Sequence, residues 1–229
     1  MIYKGGEGMD FDEKLIEQIT KIVVQKLKQI TQPIKQSKQP IKPSNYEMID
    51  GYVETGIAQK GRDPKEVVIG VGPCFAKVVR NTITGISHKE VLKQLLAGIE
   101  EEGMKPRIVR VLKTSDVGFI GKEAAMLSGS GISIGIQSKG TTLIHQKDLY
   151  PLTNLELFPQ APLITLEMFR DIGKNAAKYA KGMAVIPIPV QSDFMSRPKY
   201  QVKAAIMHIK ETENVIKNAN SIEIEREKL

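Results

Sequence analysis

A chain of 229 residues with 41% hydrophobic and 26% charged side chains is long enough to bury one sizeable core and has a globular composition. Its apolar runs fall short of the roughly 18 to 20 residues that span a bilayer, the polar stretch after Met1 lacks a signal-peptide core, and a single cysteine, Cys74, rules out an internal disulfide and fits a reducing cytosol. The formal charge of +7 comes from lysines interspersed with acids, only 5% of residues are aromatic, and no nucleic-acid motif is present, so neither a membrane nor a nucleic-acid partner is expected.

Residues 9–30, MDFDEKLIEQITKIVVQKLKQI, place Phe11, Leu15, Ile19, Ile22, Val23, Leu27 and Ile30 at helical spacing. Asp10 or Asp12 can cap this amphipathic helix, and its acids precede its lysines as the macrodipole favours. The next stretch, TQPIKQSKQPIKPSN, repeats proline, lysine and glutamine and has little to bury, which predicts a flexible linker over 31–47. An apolar stripe on such a tether lacks a home in the main core and points to partner docking or targeting. Docking back on the domain, or at a subunit interface, is the alternative.

The main domain is expected over 48–229. VVIGVG (Val67–Gly72) reads as a buried strand. Ser87–Gly103 reads as a helix with a Ser87/Glu90 capping box and a terminal glycine. RIVRVL (Arg107–Leu112) is a second strand, SDVGFIGKEAAMLSG a helix capped by Ser115 or Asp116, and ISIGIQ (Ile132–Gln137) a third strand. PLTNLELFPQAPLI is irregular, Thr165–Gly182 is a helix, VIPIPVQSDFMSRPKY is Pro-rich, and a last helix or strand lies around Ala204–Lys210. Alternation of strands and helices predicts the α/β class, with a mostly parallel, Rossmann-like sheet flanked by helices.

Ligands of such sheets bind beyond the carboxyl ends of the strands. GVGPCF offers two glycines of a dinucleotide fingerprint, Gly70 and Gly72, but Pro73 follows and the third glycine is missing, so a tight turn is the better reading. After the second strand, Asp116 is either a helix cap or an acceptor for amide groups of a ligand. In Ser128–Gln146, SGSGISIGIQSKGTTLIHQ, Ile132, Ile134 and Ile136 alternate with Ser133, Gly135 and Gln137, and the small polar face lets another surface approach closely. Gln137–Thr142 then gathers amide, hydroxyl and ammonium groups, with Lys139 placed to meet an anion such as a phosphate. His88, His145 and His208 show no metal-ligand spacing, Glu100–Glu102 read as a solvated helix end, and His145 as a structural histidine. No catalytic constellation emerges, so no catalytic residue and no metal site is expected.

The phrases EVVIGVGP, RIVRVLKTSDVGFI, LSGSGISIGIQSKGTTLIHQ, LTNLELFPQAPLITLE, IGKNAAKYA and RPKYQVKAAIMHIKET resemble the medium (β) subunit of adenosylcobalamin-dependent diol and glycerol dehydratases, over about Glu66–Thr212. The resemblance implies a carbon–oxygen lyase in which this chain is non-catalytic. It would join a large and a small subunit in a dimer of heterotrimers. Base-on adenosylcobalamin would lie between this chain and the large subunit, which holds the substrate and the radical chemistry; a cofactor of this kind carries the hard chemistry while the protein positions it. On the matching phrases, Asp116 and Lys139 would serve the amides and phosphate of the nucleotide loop. Thr141, Leu152, Asn154, Pro159, Gln160, Arg197 and Tyr200 would be further contacts. Residues 9–30 look like the extension that, in propanediol dehydratases, directs the enzyme to the shell of a bacterial microcompartment. The implied activity is conversion of 1,2-propanediol to propionaldehyde in the bacterial cytoplasm.

Three other readings remain open at this point. One is a glycerol dehydratase medium subunit. Another is the chaperone-like small subunit of a dehydratase reactivating factor, which is also an expected partner. The third is a stand-alone nucleotide-binding domain.

Overall fold

The computed structural model describes Lys21 and residues 51–226. The chain divides into two units, Met1–Lys42 and Pro43–Leu229. The helix expected over 9–30 and the linker over 31–47 lie outside the described residues, apart from Lys21, which is helical. In the second unit the chain forms β1 (Tyr52–Ile57), β2 (Glu66–Val71), α1 (His88–Glu101), β3 (Lys105–Arg110), α2 (Val117–Leu127), β4 (Ile132–Ile136), β5 (Thr142–Gln146), β6 (Glu156–Phe158), a 3₁₀ turn (Ala161–Leu163), α3 (Leu166–Ala180), α4 (Ser196–Glu213) and β7 (Ile222–Arg226).

The strands make one seven-stranded sheet in the order β1-β7-β3-β2-β4-β5-β6. The α/β class and the helix-flanked sheet follow the alternation in the sequence. The sheet is more mixed than that alternation implies. β2 pairs in parallel with β3 and β4, whereas β1–β7, β3–β7, β4–β5 and β5–β6 are antiparallel. The reason is connection length. Gln137–Thr141 is too short for a crossover, so β5 must fold back on β4.

β2 is buried along its whole length, which accounts for its unbroken apolar run. Val67, Ile69 and Val71 pack with Leu92, Leu95 and Ile99 of α1 and Phe169 and Ile172 of α3. Val68 belongs to the opposite face, with Val109, Ile120 and Ala124. The helix ends follow local chemistry. Ser87 Oγ accepts from Lys89 N, Asp116 Oδ1 from Gly118 N and Phe119 N, and Thr165 Oγ1 from Met168 N. Gly103, at φ +73°, closes the turn after α1.

Two features differ from expectation. The small polar face of β4 is not open to a ligand-bearing surface, because α2 fills it. A methyl group at Gly135 would lie 2.7 Å from Gly121 N and 2.9 Å from Val117 O, and Ser133 Oγ donates to Gly121 O at 2.7 Å. The last helix is also longer than Ala204–Lys210 and starts inside the Pro-rich stretch, so Arg197-Pro198-Lys199-Tyr200 form its first turn. Pro198 fits there because early helical N–H groups have no intrahelical acceptor.

Arginines fasten the sheet edge. Arg107 bridges Glu66 at 2.9 Å and Glu223 at 2.6 Å. Arg110 is buried; its Nε meets Glu54 Oε1 at 2.6 Å, and its Nη1 donates to the carbonyls of Gly72, Pro73 and Phe75. The guanidinium therefore ties β1 and the loop after β2 to β3.

Candidate functional site

β2 has a parallel neighbour on each side, so its carboxyl end is the place where the winding reverses and where open α/β sheets take ligands. Here the N–H groups of Cys74 and Ser138 converge on the carboxylate of Glu211 from α4, at 3.1 and 3.0 Å. A methyl group at Gly72 would collide with Glu211 Oε1, and one at Gly70 would crowd Ala124 of α2. The glycines of GVGPCF thus serve close packing. The N–H groups that a pyrophosphate would engage already donate to an internal carboxylate, which disfavours a dinucleotide at this point.

Beside this point lies a cleft of about 520 Å³. Lys139 and Thr141 line it from the β4–β5 loop, Pro159 and Gln160 from the segment after β6, and Arg197 and Tyr200 from the start of α4. Lys139 is half-buried. Burial holds its ammonium below the usual lysine value, while the charges of Glu211 and Asp116 act in the opposite direction. Among the described residues neither Lys139 nor Arg197 has a salt-bridge partner. Thr141 is buried, and its Oγ1 has no hydrogen-bond partner among the described residues; nor does Ser138 Oγ. Unpaired buried polar atoms are costly, so a site that leaves them unmet invites a polar ligand.

Gln160 is already committed to the protein. Its Oε1 accepts from Asp193 N at 3.1 Å and Ser196 Oγ at 3.2 Å, and its Nε2 donates to Ser192 Oγ. Tyr200 packs beside the small cluster of Ile83, Ala161 and Met207. The remaining candidates stand apart from the cleft lining. Asp116 is exposed and caps α2 through Oδ1, although its charge reaches Lys139. Leu152 is exposed and Asn154 half-buried in the turn between β5 and β6. Sequence reasoning missed Ile83, Asp193 and Ser196 in the cleft wall, and Glu211 beneath it. The i, i+4 pair of Met207 and Glu211, buried on one stripe of α4, is the signal that marks Glu211 as inward-facing.

His88 supports the site from below. Its Nδ1 accepts from Ala76 N at 2.9 Å and its Nε2 donates to Ser138 O at 2.8 Å. Its ring stacks on Phe75 at 3.8 Å. Burial lowers its pKa to about 4, so the ring is neutral. His145 is buried between the carbonyls of Gln146 and Pro151, as a structural histidine is. Glu101 and Glu102 form ion pairs with Arg170, Lys174, Lys178 and Lys181, tying α1 to α3. Among the described residues no cluster of three or more His, Cys, Asp or Glu side chains is placed to hold a metal ion, and no helix is long and apolar enough to cross a membrane.

Residues 72–185 match the family described as dehydratase medium subunit. That segment contains the switch point, the β4–β5 loop and the near wall of the cleft. Two solved structures are similar at low level. One is titled glycerol dehydratase reactivase, with 18% identity, a TM-score of 0.41, and coverage of 56% of this chain and 95% of that one. The other is a diol dehydratase-reactivating factor complexed with ADP and Mg2+, with 21% identity, a TM-score of 0.38 and the coverage 56% and 95%. Likenesses of that size carry no weight for function. On the match over residues 72–185, the chain belongs to the dehydratase medium subunit family.

Proposed function

We propose that this medium subunit helps bind adenosylcobalamin for a propanediol dehydratase, at its interface with the large catalytic subunit. The observation that carries the reading is the cleft in which a half-buried Lys139 ammonium and the Thr141 hydroxyl, neither of them partnered among the described residues, line the same wall. That donor set suits a phosphate bordered by amide side chains. Lys139 and Arg197 would meet the phosphate, and Thr141 an amide or a ribose hydroxyl. The cofactor, when bound, supplies the radical chemistry; the residues of this chain bind it, orient it and keep water from its polar edge. Exposed apolar side chains at the cleft (Phe194) and on and beside α4 (Met195, Val202, Ile206) suit cover by the large subunit.

The test is cobalamin titration of the assembled dehydratase carrying Lys139→Ala. Loss of one charge-assisted hydrogen bond, about 1.5–3 kcal/mol, predicts roughly 10- to 100-fold weaker binding. Unchanged affinity removes Lys139 from the site. Pull-down adds a second check. Recovery of large and small dehydratase subunits supports the reading; recovery of only an ATP-hydrolysing large partner favours the reactivating-factor alternative. Residues 9–30 are proposed as the signal for encapsulation in a microcompartment, on their resemblance alone. Deleting residues 1–45 should free the enzyme from the shell with activity intact, whereas lost assembly would make the segment structural.

A further inference from the structure

We infer that Glu211 is a positioning residue, a buried carboxylate that clasps α4 to the loops after β2 and β4 and so holds Arg197 and Tyr200 opposite Lys139 and Thr141. The inference rests on the cobalamin reading for its consequence, and on geometry for the clasp itself. Glu211 is 2% exposed. Its two oxygens take separate partners, Oε1 the N–H of Cys74 and Oε2 the N–H of Ser138. Ser138 directly precedes Lys139, and its carbonyl is gripped from the other side by His88. Both polar groups of that backbone residue are therefore fixed, and the position of Lys139 follows from them.

α4 needs such a clasp. Of its 18 residues, only Ser196, Met207 and Glu211 are buried, so Met207 is its one buried apolar side chain, with Tyr200 and Ala204 partly buried against the same small cluster. Polar ties do the remaining work. Ser196 Oγ meets Gln160 Oε1 at 3.2 Å at the amino end, Lys203 Nζ donates to Ile83 O at 2.6 Å in the middle, and Glu211 holds the carboxyl end. Cys74 Sγ also meets Lys210 O at 3.0 Å, so the cysteine lies directly under the clasp.

Glu211→Gln tests the clasp with little change of shape. An amide offers one oxygen, so its NH2 must face either Cys74 N–H or Ser138 N–H, donor against donor. In the assembled dehydratase the apparent KM for cobalamin should rise about tenfold or more, with kcat at saturating cofactor held within about twofold. Amide hydrogen exchange should quicken in 196–213 and 137–141 but not in β2, β3 or β4, and alkylation of Cys74, followed by peptide mass spectrometry, should accelerate about tenfold. Wild-type exchange and KM overturn the inference; so does faster exchange with an unchanged KM, because the helix then moves without consequence.

Should Glu211→Gln fail to assemble, Gly72→Ala displaces the same carboxylate from the loop side and keeps its charge. Wild-type exchange and KM in that variant overturn the clasp equally. Lys139→Ala, measured in parallel, separates the two ideas. A normal KM there removes Lys139 from the site, and with it the observation that carries the cobalamin reading, and leaves Glu211 judged by exchange alone. A raised KM there with a normal one in Glu211→Gln defeats the clasp only.

Discussion

Valine in place of Thr141 should stabilise the empty protein and weaken the loaded one. Thr141 is 6% exposed, and its Oγ1 is a buried atom without a partner among the described residues. Threonine and valine have nearly the same shape, so the substitution exchanges a hydroxyl for a methyl group and leaves no cavity. Burying a hydroxyl without a hydrogen bond costs about 1–3 kcal/mol, and removing it should return about 1 kcal/mol of stability if the loop already relaxes part of that cost. With cobalamin present the sign reverses. A neutral hydrogen bond contributes about 0.5–1.5 kcal/mol net, so its loss weakens binding roughly two- to tenfold. Thermal melts of the assembled dehydratase without cofactor, and cobalamin titration of the same samples, measure both. A variant that melts earlier and binds cobalamin normally would refute the reasoning, since its hydroxyl must then be satisfied inside the protein.

Two further predictions concern the support of the site. His88 has a folded pKa of about 4 against an ordinary 6.5, so its contribution to stability is complete above pH 6.5 and is lost as pH falls from there toward 4. The loss should approach about 2 kcal/mol at pH 5, visible in urea titrations at pH 7 and 5 and reduced in His88→Gln; an unchanged pH dependence would mean the ring is charged in the fold. Gly135→Ala should cost about 1–3 kcal/mol, because the methyl group meets backbone of α2 rather than a side chain that could swing away. A variant with an unaltered melting temperature would show that α2 is not seated against β4 as described.

The elements most plainly written in the sequence are those specified by near neighbours. The unbroken run of β2, the Ser87 and Asp116 caps, and the glycine after α1 are all legible in the sequence, because capping and backbone handedness act within a few residues. β1 and β7 are not recognisable in advance although IEIER alternates, because both are short and are defined by pairing across the chain, β7 lying between β1 and β3. RPKY falls within the Pro-rich stretch VIPIPVQSDFMSRPKY when read by composition, whereas an early helical turn accommodates Pro198. The segment from Ser128 to Gln146 proved to have two parts. Its strand presents small residues to α2 for packing, and its loop presents Lys139 and Thr141 to the cleft.

From the sequence alone came the helix-flanked α/β class and the polarity of the loop around Lys139, since both depend on residue type and local spacing. Only the tertiary structure brought Arg197 and Tyr200 into the same cleft as Lys139, and turned Glu211 inward onto the N–H groups of Cys74 and Ser138. Such convergence joins residues far apart in the chain, and it is set by how a lightly buried helix is fastened across the ends of two strands, a constraint no local pattern encodes.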